Sequence, residues 1–173
     1  MKLYFTPGAC SLASHIVLRE AGFKFDLEKV DLAGKKTAGG DDFTAINVKG
    51  YVPALRLDDG QVLTEGVAIM QYLADRKPES GLAPRAGTME RYRLIEWLNF
   101  ISTEIHKSFG PLWNPKTPEE TRQNQKNLLA KRVLALKSGE RAIRLRLPFV
   151  MEDSHVNVLV DRIAACLPSP AKA

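Results

Sequence analysis

The chain has 173 residues, enough to bury a hydrophobic core as one domain or as two small ones. Hydrophobic residues make up 45% and charged residues 26%, typical of a soluble globular protein, and no apolar run predicts a membrane-spanning helix. The net charge of +5 comes from scattered basic residues without interleaved aromatic residues, which argues against a nucleic-acid-binding surface. Two cysteines, Cys10 and Cys166, make no disulfide framework, and no signal-peptide segment follows Met1, so we expect a cytoplasmic protein.

The first predicted element is a short apolar strand, Leu3 to Phe5, which ends at the turn formed by Pro7 and Gly8. Apolar residues then recur at helical spacing, so Cys10 is predicted to lie at the start of a helix. The N–H groups and dipole at a helix start stabilise an anion, which predicts a thiol that loses its proton easily. The alternative is that Cys10 is a small buried core residue.

Further elements complete a small α/β domain. Apolar residues from Phe23 to Leu32 alternate with charged ones and predict a half-buried strand, followed by a polar, Gly-rich loop at 34–42. The Asp59-Gly60 turn lies between two alternating segments and predicts a β-hairpin. A helix is expected to begin at Gly66. These elements predict an α/β domain at 1–80, a Pro- and Gly-rich linker at 81–87 and a helical domain at 88–173.

The helical domain is predicted to open with one long helix that is capped by Thr88 and ended by Gly110 and Pro111. One face carries an apolar stripe, which is expected to be core: Leu94, Leu98, Ile101, Ile105 and Phe109. Asn99, Thr103 and His106 recur at i, i+4 and i+7 on another face. That polar row is either part of a cleft or simply the solvated side. A second helix is expected from Thr117 and Pro118 to about residue 132.

Several stretches in this order and spacing resemble the bacterial, beta-class glutathione S-transferases over residues 1 to about 132. The matching stretches are Tyr4–Leu12, Val30–Leu32, Lys35–Thr37, Gly50–Leu55, Leu63–Ile69, Glu96–Ser102 and His106–Lys107. The resemblance implies a thioredoxin-like N-terminal domain, an all-α C-terminal domain and a homodimer. It also implies glutathione as the co-substrate, transferred to small electrophiles in detoxification.

The resemblance also implies the roles of individual residues. Cys10 would face the glutathione sulfur, and Cys10 and His106 are the implied catalytic residues. The implied glutathione-binding residues are Cys10, Lys35, Val52, Glu65, Gly66, Asn99, Thr103 and His106. Val52 would offer its backbone beside a cis bond to Pro53. The chemistry is suitable, because glutathione carries two carboxylates and an ammonium, which call for a cation, an anion and free helix N–H groups.

The implied mechanism lowers the pKa of the glutathione thiol with donors around Cys10, Ser11 and His106, so that the thiolate attacks an electrophile. Phe5 cannot donate a hydrogen bond, which excludes activation by a tyrosine at that position. Ala13 excludes a Cys-x-x-Cys dithiol, although Cys10 could form a mixed disulfide with glutathione. No metal site is predicted, because the three histidines and two cysteines lack ligand spacing.

The tail at 133–173 does not match the family. The Ser/Thr-x-x-Asp capping box expected after Arg132 is missing, and the chain ends early. A shifted reading frame and a divergent C-terminal domain both explain this. We expect exposed apolar surface on the stripe, reduced stability, and disorder beyond about residue 138. The alternatives to an enzyme are therefore a non-catalytic binding module with this fold or a truncated, inactive product.

Overall fold

The computed structural model describes residues 1–137. The chain divides into two compact units, Met1–Ile95 and a second that begins at Glu96. The boundaries that we predicted at residues 80 and 88 remain predictions.

In the described residues of the first unit, five strands form one mixed sheet. The strands are β1 (Lys2–Phe5), β2 (Asp26–Asp31), β3 (Lys36–Thr37), β4 (Ala54–Arg56) and β5 (Val62–Thr64). Their order in the sheet is β3-β2-β1-β4-β5. β1 pairs parallel with β2 and antiparallel with β4, and the β4–β5 pair is the predicted hairpin. β1 is therefore the central strand of the sheet, with two strands on each side of it.

Three helices accompany the sheet: α1 (Ser11–Glu20), α2 (Phe43–Ile46) and α3 (Gly66–Arg76). Successive residues of β1 point to opposite faces, so Leu3 and Tyr4 enter different cores. The first core joins Leu3 to apolar residues of α1, β4 and α3, namely Leu18, Leu55, Ile69 and Leu73. The second core joins Tyr4 to Val30, Phe43, Val52 and Ala54. The site described below lies at one end of this doubly covered sheet.

Two predictions for this unit were wrong, one about where a strand begins and one about a segment assigned as loop. β2 begins at Asp26 rather than at Phe23, so Phe23 and Phe25 precede the strand and pack beside the first core. The segment 34–42 was predicted as loop, yet it contains the two-residue strand β3. A strand of two residues is too short to show an alternating pattern of apolar and polar residues, so the sequence could not predict β3.

Within the first unit, the segment that follows α3 is held to that helix by Arg91, which is only 4% exposed. Its guanidinium forms a two-pronged ion pair with Asp75 of α3, at 2.8 and 2.7 Å. It also donates to the Gln71 side chain at 3.2 Å and to the Pro84 carbonyl oxygen at 2.8 Å. Four acceptors satisfy a buried cation here, and removing that cation leaves them without a donor.

The long helix predicted at 88–109 is divided into three kinds of helix. α4 (Met89–Phe100) is capped by the Thr88 hydroxyl, as predicted, which accepts from the Arg91 N–H at 3.3 Å. A π-helical segment, Ile101–His106, and a 3₁₀ turn, Lys107–Phe109, follow. Gly110 and Pro111 do not end the helical structure as expected. They open α5 (Gly110–Trp113), because proline is tolerated in a first turn.

The apolar stripe of this segment is half-buried rather than fully buried at each of its five positions. The helix that follows, α6, runs from Glu119 to Lys137, beyond the predicted end near 132. Its Leu129 is buried. The expectations about disorder beyond 138 and about the last part of the tail lie outside the described residues.

Within residues 1–137, no helix has both the length and the apolar composition to cross a bilayer.

Replacing Arg91 by methionine should destabilise the first unit by about 2–3 kcal/mol, because a buried charge and its partners are separated while Asp75 stays half-exposed to water. Urea denaturation followed by circular dichroism measures the change. Arg85→Met, which removes an exposed arginine in the preceding segment, is the control and should change stability by less than about 0.5 kcal/mol. Equal losses in the two variants would contradict the structural role of Arg91.

Candidate functional site

The ends of four strands meet at one edge of the sheet. β1 and β2 run parallel, so the segments after both strands leave from the same edge. β4 runs antiparallel to β1, with Tyr4 opposite Ala54, so the residues before β4 lie there as well. Thr64 at the end of β5 also faces Ala54. Topology therefore gathers the segments carrying Cys10, Lys35, Val52 and Glu65, which lie far apart in sequence.

Cys10 occupies the position immediately before α1, as predicted, and it is exposed. Although the residue as a whole is exposed, the hydrogen bond that its thiol donates to the Val52 carbonyl oxygen, with Sγ at 3.3 Å, is partly buried. Ser11 is completely buried, and its hydroxyl donates to the Thr6 carbonyl oxygen at 3.2 Å. The Ser11 hydroxyl therefore shapes the turn between β1 and α1. The donor of Ser11 that acts on a sulfur is its backbone N–H, which favours the thiolate of Cys10.

The predicted direction of the pKa shift at Cys10 was wrong. Packing of protein around the sulfur raises the pKa of the Cys10 thiol above its ordinary value, and the negative charge of Glu65 acts in the same sense. The backbone N–H groups of Cys10 and Ser11 lower the pKa, as the sequence argument required, but the loss of hydration outweighs them. The thiol is therefore the protonated form at neutral pH, able to donate a hydrogen bond.

The backbone beside Cys10 comes from Val52, which is 7% exposed. The bond between Val52 and Pro53 is cis, in agreement with the resemblance. The Pro53 ring lies next to Gly66, the first residue of α3. A side-chain Cβ at position 66 would be 3.7 Å from the Pro53 Cγ. The first turn of α3 therefore lies close to the backbone of Val52 and Pro53.

Lys35 follows β2, and its ammonium lies near the same segment. Its Nζ donates to the Gly50 carbonyl oxygen at 2.9 Å and lies 5.5 Å from the centre of the Tyr51 ring. The backbone φ of Lys35 is +54°, and the Phe43 N–H donates to its carbonyl oxygen at 2.8 Å. Lys35 is thus a half-buried cation whose ammonium and carbonyl oxygen are both held by hydrogen bonds.

Glu65 immediately precedes α3 and also has a positive φ, +70°. Its carbonyl oxygen accepts the Ile69 N–H, which is the first hydrogen bond of the helix. The side chain is 70% exposed and forms an ion pair with Lys49 at 2.7 Å. The next N–H groups, beginning at Gly66, belong to the first helical turn and so have no partner within the helix. An anion and a set of anion-binding N–H groups thus occupy adjacent residues.

Asn99, Thr103 and His106 belong to the second unit, and all three are exposed. The Thr103 hydroxyl donates to the Asn99 carbonyl oxygen at 2.9 Å, one turn back. His106 closes the π-helical segment. The spacing argument that put the three on one face assumed an α-helix, and a π turn holds more residues. Their shared face therefore does not follow from that argument.

The two aromatic residues of β1 lie on opposite faces, because side chains alternate along a strand. Tyr4 is buried in the second core, while Phe5 packs beside the first. The Phe5 ring neighbours the imidazole of His15, 6.3 Å between centres, and His15 also meets Phe25 edge to face. Burial and then the charge of Arg19 lower the pKa of His15. The contacts of its ring with Phe5 and Phe25 give His15 a structural role.

Sequence reasoning missed Lys49, whose Nζ contacts the carboxylate of Glu65. An isolated lysine in a loop has no pattern in the sequence, and only the antiparallel pairing of β4 and β5 explains how position 49 comes close to position 65. Among residues 1–137, no group of three or more His, Cys, Asp or Glu side chains is placed to hold a metal ion.

Comparison with known proteins gives the family. A family model described as "Glutathione S-transferase, N-terminal domain" matches residues 8–76. The chain is 56% identical over 133 residues to the glutathione S-transferase GstA of Escherichia coli O157:H7, covering 77% of this chain and 66% of that protein. The chain thus spans slightly less than two thirds of the length of that relative.

Two solved structures share the fold. The structure of a sphingomonad glutathione S-transferase complexed with glutathione is 50% identical, with a TM-score of 0.77 and coverage of 79% of this chain and 68% of that one. The bacterial beta-class enzyme of Sphingomonas chungbukensis is 44% identical, with a TM-score of 0.79 and coverage of 95% and 81%. This chain belongs to the glutathione S-transferase family. The resemblance to the beta class and the predicted fold class, a thioredoxin-like domain followed by helices, are both confirmed.

In this family member, alkylation of Cys10 by iodoacetamide should rise with pH and reach half its maximum rate at a higher pH than an ordinary thiol. Glu65→Gln removes a charge that raises the pKa of Cys10, so it should move that midpoint to lower pH. The rate is followed by mass spectrometry of the peptide that contains Cys10, which separates it from Cys166.

The control is Glu20→Gln, the same charge change at the far end of α1, about 15 Å along the helix from Cys10. It should leave the midpoint unchanged. A midpoint below that of an ordinary thiol in the parent chain would show that the helix N–H groups outweigh desolvation after all.

Proposed function

We propose that this chain is a glutathione transferase, which activates the glutathione thiol for nucleophilic attack on small electrophiles. The observation that carries the proposal is the contact between Cys10 Sγ and the Val52 carbonyl oxygen, with segments bearing a cation and an anion beside it. The relative complexed with glutathione supports the choice of ligand. The proposal concerns an intracellular, cytoplasmic protein that works in detoxification.

Glutathione suits this arrangement because its thiol lies between two charged ends. Under the proposal, the Val52 backbone pairs with the cysteinyl part and so brings the ligand sulfur next to Cys10. Lys35 binds a carboxylate of the tripeptide. Glu65 binds the ammonium of the γ-glutamyl end, and the N–H groups from Gly66 onward bind the carboxylate of that end.

The chemistry follows from the protonation state of Cys10. A protonated thiol donates a hydrogen bond to the glutathione sulfur, which stabilises the thiolate and lowers the pKa of the glutathione thiol. The thiolate then attacks an electrophilic carbon, a sulfur–carbon bond forms, and the leaving group departs with its electron pair. The proton released by glutathione passes to solvent.

The proposal includes the second unit and a second copy of the chain. Asn99, Thr103 and His106 are proposed to contribute to glutathione binding, and His106 to catalysis. A homodimer is proposed on the basis of the family. These roles are supported by the family relationship, and variants at each position would test them by the same assay used for Cys10.

The parent chain should conjugate glutathione to 1-chloro-2,4-dinitrobenzene, and Cys10→Ala should lower kcat/KM by roughly tenfold, the effect of one hydrogen bond to a charged group. Absorbance of the conjugate measures turnover, and retention on a glutathione resin measures binding. Turnover absent in the parent, with resin binding retained, would support the non-catalytic binding module instead. Loss of both would support an inactive product.

Lys35→Met should raise the KM for glutathione by roughly tenfold and change kcat little, because it removes a charged contact made equally in the ground and transition states. Lys36→Met, an exposed neighbour, is the matched control and should leave KM unchanged. Since Lys35 also holds Gly50, a thermal melt checks that both variants are folded. A lower kcat with unchanged KM would contradict a binding role for Lys35.

A further inference from the structure

The ammonium of Lys49 lies next to the carboxylate proposed to bind the γ-glutamyl end of glutathione. Its Nζ is 2.7 Å from Glu65 Oε1 and 3.2 Å from the Thr64 Oγ1. Both side chains of the ion pair remain partly in water, 49% exposed for Lys49 and 70% for Glu65. An ion pair this exposed adds little to the stability of the fold. A contribution to stability therefore does not explain why Lys49 lies beside Glu65.

The backbone that carries Lys49 is fixed by a buried side chain. Asn47 is 5% exposed, and its amide donates to the Tyr51 carbonyl oxygen at 2.8 Å. The amide oxygen of Asn47 accepts the Lys49 N–H at 3.2 Å, and the Gly50 N–H donates to the Asn47 carbonyl oxygen at 2.8 Å. The lysine therefore extends from an organised loop towards the start of α3.

The γ-glutamyl end of glutathione is a zwitterion, with an ammonium and a carboxylate on the same carbon. Glu65 and Lys49 present the complementary charges side by side, and a carboxylate has about four acceptor positions, so Glu65 can serve Lys49 and a ligand ammonium together. We propose that Lys49 binds the α-carboxylate of the γ-glutamyl end together with the N–H groups from Gly66 onward, so that Lys49 and Glu65 recognise both charges of this zwitterion. This inference rests on the proposed function and adds a specificity-determining residue to it.

The test uses Lys49→Gln and three thiol peptides. The first is glutathione. The second is 4-aminobutyryl-cysteinylglycine, which lacks the α-carboxylate, and the third is glutaryl-cysteinylglycine, which lacks the ammonium. The KM and kcat of conjugation are measured for each, together with Kd by calorimetry. Lys36→Gln is the matched control, and Lys49→Arg keeps the charge.

Lys49→Gln should raise the KM and Kd for glutathione five- to tenfold with kcat unchanged. Lys49→Arg, which keeps the charge, should retain most of the affinity for glutathione. The same substitution should weaken glutaryl-cysteinylglycine by a similar factor and leave 4-aminobutyryl-cysteinylglycine unaffected. Lys36→Gln should change none of these values. A purely structural role for Lys49 would not discriminate between peptides that differ only in one carboxylate.

Two results would overturn the inference while leaving the proposed function intact. One is an equal loss for all three peptides, which would make Lys49 a support of the loop. The other is unchanged or tighter glutathione binding in Lys49→Gln, which would mean that Lys49 only competes for Glu65. If the parent chain binds no glutathione by calorimetry, the proposed function fails and this inference fails with it.

Discussion

The pairing of β1 with β4 is the constraint on which the rest of the structure depends. Leu3 lies opposite Leu55 and Tyr4 opposite Ala54. Leu3 and Leu55 enter one core, and Tyr4 and Ala54 the other. Because side chains alternate along a strand, a shift of one residue in this register would exchange the two sets between the cores. Burial on both faces therefore fixes the register, and the register brings the segment after β1, which carries Cys10, beside the residues before β4, which include Val52.

Two opposing effects act on the pKa of Cys10, and their balance decides whether its sulfur is a thiol or a thiolate. Helix N–H groups favour a thiolate, whereas packing around the sulfur and the charge of Glu65 favour the neutral thiol. A thiolate at Cys10 would repel a second sulfur anion, whereas a neutral thiol donates a hydrogen bond to it. The neutral form is therefore the one suited to the proposed reaction. In this structure the Cys10 thiol donates its hydrogen bond to the Val52 carbonyl oxygen.

The sequence predicted those elements that have a repeating pattern or a specific turn. The hairpin follows from the Asp59-Gly60 turn, and α3 from the spacing of Ile69 and Leu73. It did not predict β3, which is too short to show a pattern, nor the π-helical segment, which has no compositional signal at this length. The start of the strand at Phe23 was misplaced, because the alternation continues into residues that pack on the core without pairing.

The candidate site was less accessible to sequence reasoning than the fold. Position alone pointed to Cys10, but the direction of its pKa shift depends on packing, which no local pattern encodes. Lys35 and Glu65 are ordinary charged residues by composition, and only the family resemblance singled them out. Lys49 had neither signal, since its partner lies 16 residues away across the hairpin.

Backbone strain gives an independent reason to regard Lys35 and Glu65 as a pair. In residues 1–137, they are the two residues other than glycine that have a positive φ. A side chain in this conformation costs of order 1–3 kcal/mol and persists only where surrounding contacts enforce it. The contacts are present, since the Phe43 N–H holds the Lys35 carbonyl oxygen and the Ile69 N–H holds that of Glu65. Glycine would relieve the strain at either position but would remove a charge, which points to the charged side chains as the reason that the strain is kept.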